Sequence, residues 1–223
     1  MITLYGRRNS SNVQRVIWAL AELGVAHERL NVGGSFGGVD TAEYKARNPT
    51  GMVPTLQDGD LAIWESEAIL RYLAAKYGEG SLWPARPEDR ARGDRWLAWT
   101  NTVMAPAFSA VFFKTIRCPR AEQDLPALQP QMDRLNEAMA FFDRVLAGEP
   151  GHLAGEAFSY ADIPPAILTY RYKNLPMTRP DLPALDAWYD RVSARPAFQE
   201  HVALPMGTCL EEWFEQEKAL ACA

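Results

Sequence analysis

The feature that most constrains the fold is a change of pattern near residue 80. Before it, short β signals alternate with helical ones; after it, only helical signals remain. Ile2, Leu4 and Tyr5 read as a strand. Val13, Val16, Ile17, Leu20 and Leu23 then follow helical spacing, and Gly24 supplies a stop. Residues 27–32 read as a second strand, the glycine-rich stretch 33–38 as a flexible loop, and 40–46 as a short helix. Residues 53–57 are a strand candidate, Asp58-Gly59 a hairpin turn, and Leu61-Ala62-Ile63 the returning strand. A helix over 66–77 follows. The order is βαβ, a short helix, ββ and α, and the βαβ unit requires parallel strands joined by a right-handed crossover. Pro54 cannot donate to a ladder, so it belongs at a strand start, where the cis form used in tight turns fits.

Gly78-Glu79-Gly80 and Pro84-Ala85-Arg86-Pro87 mark the break. Beyond it, Trp96, Trp99 and Val103 begin one helix. Leu128, Met132, Leu135, Met139, Phe142 and Leu146 recur at steps of four and three, the stripe of a long amphipathic helix. Ser159-Tyr160-Ala161-Asp162 has the spacing of a capping box, with Asp in place of Glu, opening a helix that runs to about Tyr172. Leu182, Leu185, Trp188, Tyr189 and Val192 mark a further helix before Arg195-Pro196. The expected architecture is an α/β domain over 1–80, a linker over 81–88 and an all-α domain over 89–223.

Composition excludes several classes. The net charge of -5 gives no electrostatic case for a nucleic-acid partner. The longest apolar runs are far short of a membrane span, and the first residues lack the basic-then-apolar layout of a signal peptide. Cys118, Cys209 and Cys222 are odd in number and irregularly spaced, which argues against a disulfide framework and fits a reducing cytoplasm. Cys118, with Arg117 and Arg120 as its basic neighbours, reads as incidental to any chemistry. His27, His152 and His201 are far apart and offer no metal-ligand spacing, so no metal is expected.

Chemistry concentrates at Glu65-Ser66, about a dozen residues beyond Val53-Pro54. Ser66 opens a helix, and a hydroxyl at a helix N-terminus holds a carboxylate. The Glu65 carboxylate beside it holds an ammonium. Together they suit the zwitterionic end of an α-amino acid.

At this level of detail the chain resembles the soluble glutathione transferase family, near its bacterial theta-like and nu-like members. The matching pieces are Leu4-Tyr5-Gly6 with Ser10-Ser11-Asn12, the run from Asn48-Pro49 to Val53-Pro54, and the run from Leu61 to Ile69 containing Glu65-Ser66. Phe158-Ser159-Tyr160-Ala161-Asp162-Ile163 and Pro183-Ala184-Leu185-Asp186-Ala187-Trp188 match in the helical half. The resemblance covers essentially the whole chain and implies a thioredoxin-like domain, an all-helical domain and a homodimer. It implies that Val53, next to a cis Pro54, pairs with the cysteinyl backbone of glutathione, as in a one-residue strand addition. It also implies that Glu65 and Ser66 hold the γ-glutamyl end.

The resemblance further implies that a hydroxyl or amide near the start of the first helix holds the thiolate. A free cysteine thiol has a pKa of about 8.5, and bringing it to about 6.5 needs about 2.7 kcal/mol. Ser10 ranks first, then Asn12 and Ser11, with Tyr5 the other hydroxyl to check. Ser11 has a structural alternative as an N-cap, with Gln14 completing a capping box. Met52 stands where some relatives carry a lysine near the glycyl carboxylate, which leaves Lys45, Arg47 and Arg8 as candidate cations, with the loop at Phe36-Gly37-Gly38 closing over that end.

Trp96, Trp99, Phe108, Phe112 and Phe113 read as core or interface residues at helical spacing, and the resemblance implies that Phe108 and Phe112 are candidates for the pocket of a small hydrophobic electrophile. The tail, with Leu210, Trp213 and Phe214, either packs on the helical half or folds over the site. The leading function is conjugation of glutathione to such an electrophile. The alternatives are a glutathione-dependent disulfide reductase or peroxidase on the same site, and a non-catalytic binding or scaffold protein of the same fold.

Overall fold

The computed structural model describes residues 1–221; Cys222 and Ala223 lie outside the described residues. A four-stranded sheet has the order β2-β1-β3-β4. Strand β1 (Ile2–Tyr5) pairs in parallel with β2 (His27–Leu30) and antiparallel with β3 (Thr55–Asp58), which pairs with β4 (Leu61–Trp64). The parallel pair is joined by helix α1 (Ser11–Glu22), as the βαβ pattern requires. Leu4, opposite Leu56, puts its side chain into the core while its strand neighbours stay half-exposed.

Three sequence-based boundaries shift. Strand β2 ends at Leu30 rather than residue 32. Val53 and Pro54, joined by a cis bond, stand before β3 instead of inside it. The glycine-rich stretch is ordered by a 3-10 turn over Gly34–Phe36, closed by a Gly33 amide to Gly37 carbonyl bond of 2.7 Å. The short helix α2 (Ala42–Arg47) starts under a Thr41 cap, whose hydroxyl accepts from the Tyr44 amide at 3.2 Å. Helix α3 (Ser66–Tyr77) closes the first half.

The helical half begins with α4 (Pro87–Trp99), which passes through a wider π-wound stretch, Thr100–Met104, into α5 (Ala105–Phe112). Helix α6 (Gln129–Leu146) buries the predicted stripe, with Phe142 between Trp96, Trp99 and Trp188 at 4.9–5.3 Å between rings. Helices α7 (Ile163–Lys173), α8 (Pro183–Ser193), α9 (Pro196–His201) and α10 (Leu210–Ala219) follow. Among the described residues no helix is long and apolar enough to cross a membrane.

Helix α1 joins the two halves. Trp18, fully buried, packs on Phe158 and Phe198, with ring centroids 5.5 and 5.2 Å away. Its indole N–H donates to Glu22 (2.9 Å), and Glu22 in turn takes a two-pronged bond from Arg195 at 2.6 and 2.8 Å.

Only half of the expected capping box before α7 forms. The Asp162 carboxylate accepts from the Ser159 amide at 3.0 Å, but the Ser159 hydroxyl accepts from the Ala161 amide, and the helix proper begins at Ile163. Fully buried Asp162 also accepts from the Leu153 amide (3.1 Å) and the Trp188 indole (2.9 Å), with His152 Nδ1 3.3 Å away. One carboxylate therefore answers donors from three segments. Asp162→Ala orphans them and is expected to destabilise the protein by about 3 kcal/mol in urea unfolding; a loss within measurement error would show that water replaces the carboxylate.

Candidate active site

Two cavities adjoin, one within the first half and one where the two halves meet. The smaller, about 180 Å³, is lined by Asn12, Asn48, Thr50, Met52, Val53, Pro54, Glu65 and Ser66. The larger, about 390 Å³, is bounded by the β1–α1 turn, the glycine turn, Val53, and residues on or beside α5, α7 and α10. Asn12, Met52 and Val53 line both. Ser10 and Ser11 face the larger cavity; Pro54, Glu65 and Ser66 face the smaller. All seven residues singled out in the sequence are thus brought together.

The turn before β3 is held by side chains. Asn48 Nδ2 donates to the Met52 carbonyl and the Thr55 hydroxyl, both at 2.9 Å. The Tyr44 hydroxyl donates to the same carbonyl at 2.6 Å. Asn48 is therefore more than a turn former: it fixes Met52, and Val53 follows. Among the described residues nothing pairs with the Val53 amide or carbonyl, which leaves one strand-like residue open on the cavity wall.

Glu65 has φ 70° and ψ 111°, the sole non-glycine with positive φ among the described residues. Such a conformation stores about 1–3 kcal/mol and is characteristic of positions where geometry serves a ligand. Glu65 is exposed, whereas Ser66 is buried and accepts from Arg15 Nη1 at 3.3 Å. Arg15 is itself buried 3.7 Å from Glu67. Burial lowers its pKa while the charges of Glu67 and Glu65 oppose that shift. Arg15 is not among the site residues expected from the sequence, where nothing local marks it as buried.

At the start of α1, Ser10 is the N-cap, yet its hydroxyl makes no capping bond. The expected Ser11–Gln14 capping box does not form. Ser11 is already the first helical residue, and Gln14 is buried with its amide nitrogen donating to the carbonyls of His201 (3.0 Å) and Val202 (3.3 Å). Tyr5 lies against Tyr44 and lines neither cavity.

The larger cavity carries three arginines that the sequence reading did not select: Arg7, Arg117 and Arg171. Arg7 pairs with Glu217 of α10 at 2.9 Å, and Glu217 accepts from the Ser35 amide at 2.8 Å. A Cβ on Gly34 would stand 2.7 Å from both side chains, and the backbone there has φ 61°, so this turn needs glycine. The glycine turn is thus fastened by the tail helix. Arg171 donates to the Asn9 carbonyl (2.7 Å) and Gln14 Oε1 (2.8 Å). Burial first, then the charge of Arg7, pulls its pKa down to about 9, which leaves it charged at neutral pH.

Of the two aromatic candidates, Phe112 lines the cavity, joined by half-exposed Phe113, while Phe108 stacks behind Phe112 at 5.1 Å. The candidate cations for a ligand carboxylate lie elsewhere. Arg8 donates to the Glu200 carbonyl, Arg47 pairs with Glu43, and neither these nor Lys45 lines a cavity. Cys118 and Cys209 are buried. Among the described residues no group of three or more His, Cys, Asp or Glu side chains is placed to hold a metal.

A thioredoxin-like sheet followed by a helical bundle, with the larger cavity at the seam, defines a two-domain architecture of α/β and all-α halves. The glutathione S-transferase N-terminal domain matches residues 1–75 and the corresponding C-terminal domain matches 99–196. Glutathione S-transferase GstB of Escherichia coli (strain K12) is 36% identical over 208 residues, 92% of this chain and 100% of that one. Glutathione S-transferase 3 of Zea mays is 33% identical over 91% of this chain and 93% of its own length. The crystal structure of the theta class glutathione S-transferase from Xanthomonas axonopodis pv. citri, with glutathione bound, superposes with a TM-score of 0.87. It is 46% identical, with 92% of this chain and 99% of that one covered. The chain belongs to the glutathione S-transferase family and is an enzyme of that class.

Proposed function

We propose that the cleft binds glutathione along its length and activates the thiol for attack on a small electrophile. The observation that carries this reading is the joining of the two cavities at Asn12 and Val53. The γ-glutamyl end is assigned to Glu65 and Ser66, with the α3 N-terminus and the Ser66 hydroxyl on its carboxylate and Glu65 on its ammonium. The open amide and carbonyl of Val53, beside Pro54, pair with the cysteinyl backbone. The sulfur then falls at the mouth of the larger cavity by Ser10, with Asn12 and Ser11 as its neighbours.

The chemistry asked of the protein is to favour the thiolate. The Ser10 hydroxyl, unused as a cap, donates to the sulfur. The first-turn amides of α1 add positive potential, and so do the guanidiniums beyond them. The thiolate attacks, the C–S bond forms, the leaving group departs with its electron pair, and the thiol proton passes to solvent. The ligand brings the nucleophile, so no protein cysteine is needed.

Residues 1–80 serve as the glutathione domain, 81–88 as the linker and 89–223 as the cosubstrate domain. Two copies of the chain form a homodimer in the cytoplasm, working without a metal. Leu61 and Trp64 on the edge strand β4, and Phe141 on α6, expose apolar surface suited to that pairing.

By isothermal titration, Glu65→Ala and Ser66→Ala are each expected to weaken glutathione binding about tenfold or more, while Tyr77→Ala, outside both cavities, leaves it unchanged. Unaltered affinity in both site variants would sink the assignment of the γ-glutamyl end. Light scattering at micromolar concentration is expected to give twice the chain mass; a monomer mass would contradict the dimer.

A further inference from the structure

The larger cavity is rich in positive charge, and its side-chain acceptors are the neutral oxygens of Asn9, Ser10, Ser11 and Asn12. Arg7, Arg117 and Arg171 line it, and no aspartate or glutamate does. The acid that faces them, Glu217 from α10, is committed to Arg7 and the Ser35 amide. Arg171, only 4% exposed, has two neutral acceptors and, among the described residues, no carboxylate partner. The Nε of Arg171, the Nε of Arg117 and the indole N–H of Trp213, itself 2% exposed, meet no acceptor among the described residues. Trp213 is flanked by these two guanidiniums, 5.0 Å from Arg117 and 5.7 Å from Arg171.

Buried cations are normally matched by anions, because an unanswered charge away from water is costly. Three guanidiniums against one carboxylate leave an excess of positive charge in a chain whose net charge is -5. The remaining wall is aromatic: Phe112 lies under Arg171 at 5.6 Å, and Phe113 is 57% exposed beside it. The cavity therefore combines aromatic faces with a forked set of donors, the pattern that receives an aryl group bearing a carboxylate.

We infer that the electrophile taken by this enzyme is an aromatic compound carrying a carboxylate, received by Arg117, Arg171 and the Trp213 indole N–H, with its ring against Phe112 and Phe113. This rests on the proposed placement of glutathione, whose sulfur enters from the Ser10 side. In a halonitrobenzoate, the glutathione sulfur forms the new C–S bond at the ring carbon and chloride leaves with the bonding pair. The carboxylate stays intact and serves only for recognition. Arg117, half-buried and held among the described residues by neither a carboxylate nor a carbonyl, is the specificity-determining residue of the set.

The test compares kcat/KM for 4-chloro-3-nitrobenzoate and its methyl ester at saturating glutathione, in the full chain and in Arg117→Gln and Arg117→Lys. The carboxylate-to-ester ratio is expected to fall about tenfold in Arg117→Gln and to be largely retained in Arg117→Lys. An unchanged ratio in Arg117→Gln overturns the inference. So does an equal fall for both substrates accompanied by weaker glutathione binding, which would assign the arginines to glutathione. If turnover is too slow to measure, calorimetry with the two preformed glutathione conjugates decides. The carboxylate conjugate is expected to bind at least about fivefold more tightly than the ester, and equal affinity overturns the inference. Loss of glutathione binding in the unaltered protein would instead overturn the site assignment beneath it.

Discussion

The site depends on how the first helix is held, and that hold is the buried contact of Arg171 with Gln14 and the Asn9 carbonyl. Arg171 reaches from α7, in the helical half, to the turn that opens α1. Gln14 completes the contact by donating to the His201 and Val202 carbonyls. A charge-assisted bond in a buried setting is worth more than a neutral one and tolerates little displacement. The consequence is positional: Ser10, Ser11 and Asn12 are set against the cavity by residues more than 150 positions away in sequence. The consequence is also electrostatic, because the guanidinium lies behind the positive end of α1.

The same logic extends to the other walls. Tyr44 and Asn48, both bonded to the Thr55 hydroxyl, fix the Met52 carbonyl, and among the described residues Val53 presents a free backbone edge. Arg15 holds Ser66 from beneath, while Glu65 is kept at a backbone geometry that few side chains adopt. Glu217 draws α10 onto the glycine turn through Arg7 and Ser35, which makes the tail part of the cavity wall. Rigid packing lies behind each polar group, as accurate placement of reacting atoms requires.

The parts legible in the sequence are those governed by short-range pattern. The strands at Ile2–Tyr5 and Leu61–Trp64 and the helices at Ser66–Tyr77 and Gln129–Leu146 follow from spacing and turn residues. Glu65-Ser66 stood out through its own chemistry and Pro54 through its missing donor, whereas the role of Val53 came only with the family resemblance. The failures share one cause, tertiary contact overriding a local rule. Gln14 looked like a capping partner but was taken by α7 and α9. The glycine run looked loose because Glu217, which fastens it, lies 182 positions away. Arg15 and Arg171 were passed over because a charge between apolar residues gives no local sign of burial. Phe108 and Phe112, one helical turn apart, looked equivalent; only the packed helix shows which one meets the cavity.

In the proposed mechanism, the opening of α1 turns a bound thiol into a thiolate. The most direct measurement is the ultraviolet thiolate absorbance of glutathione bound to the protein, followed against pH with and without Ser10→Ala. The free thiol ionises at about 8.5; the bound one is predicted to ionise at about 7.5 or below, with thiolate present above that pH and lost as pH falls through it. Replacing Ser10 is predicted to move the transition back toward the free value. A bound thiol that titrates like free glutathione in the unaltered protein would contradict the account.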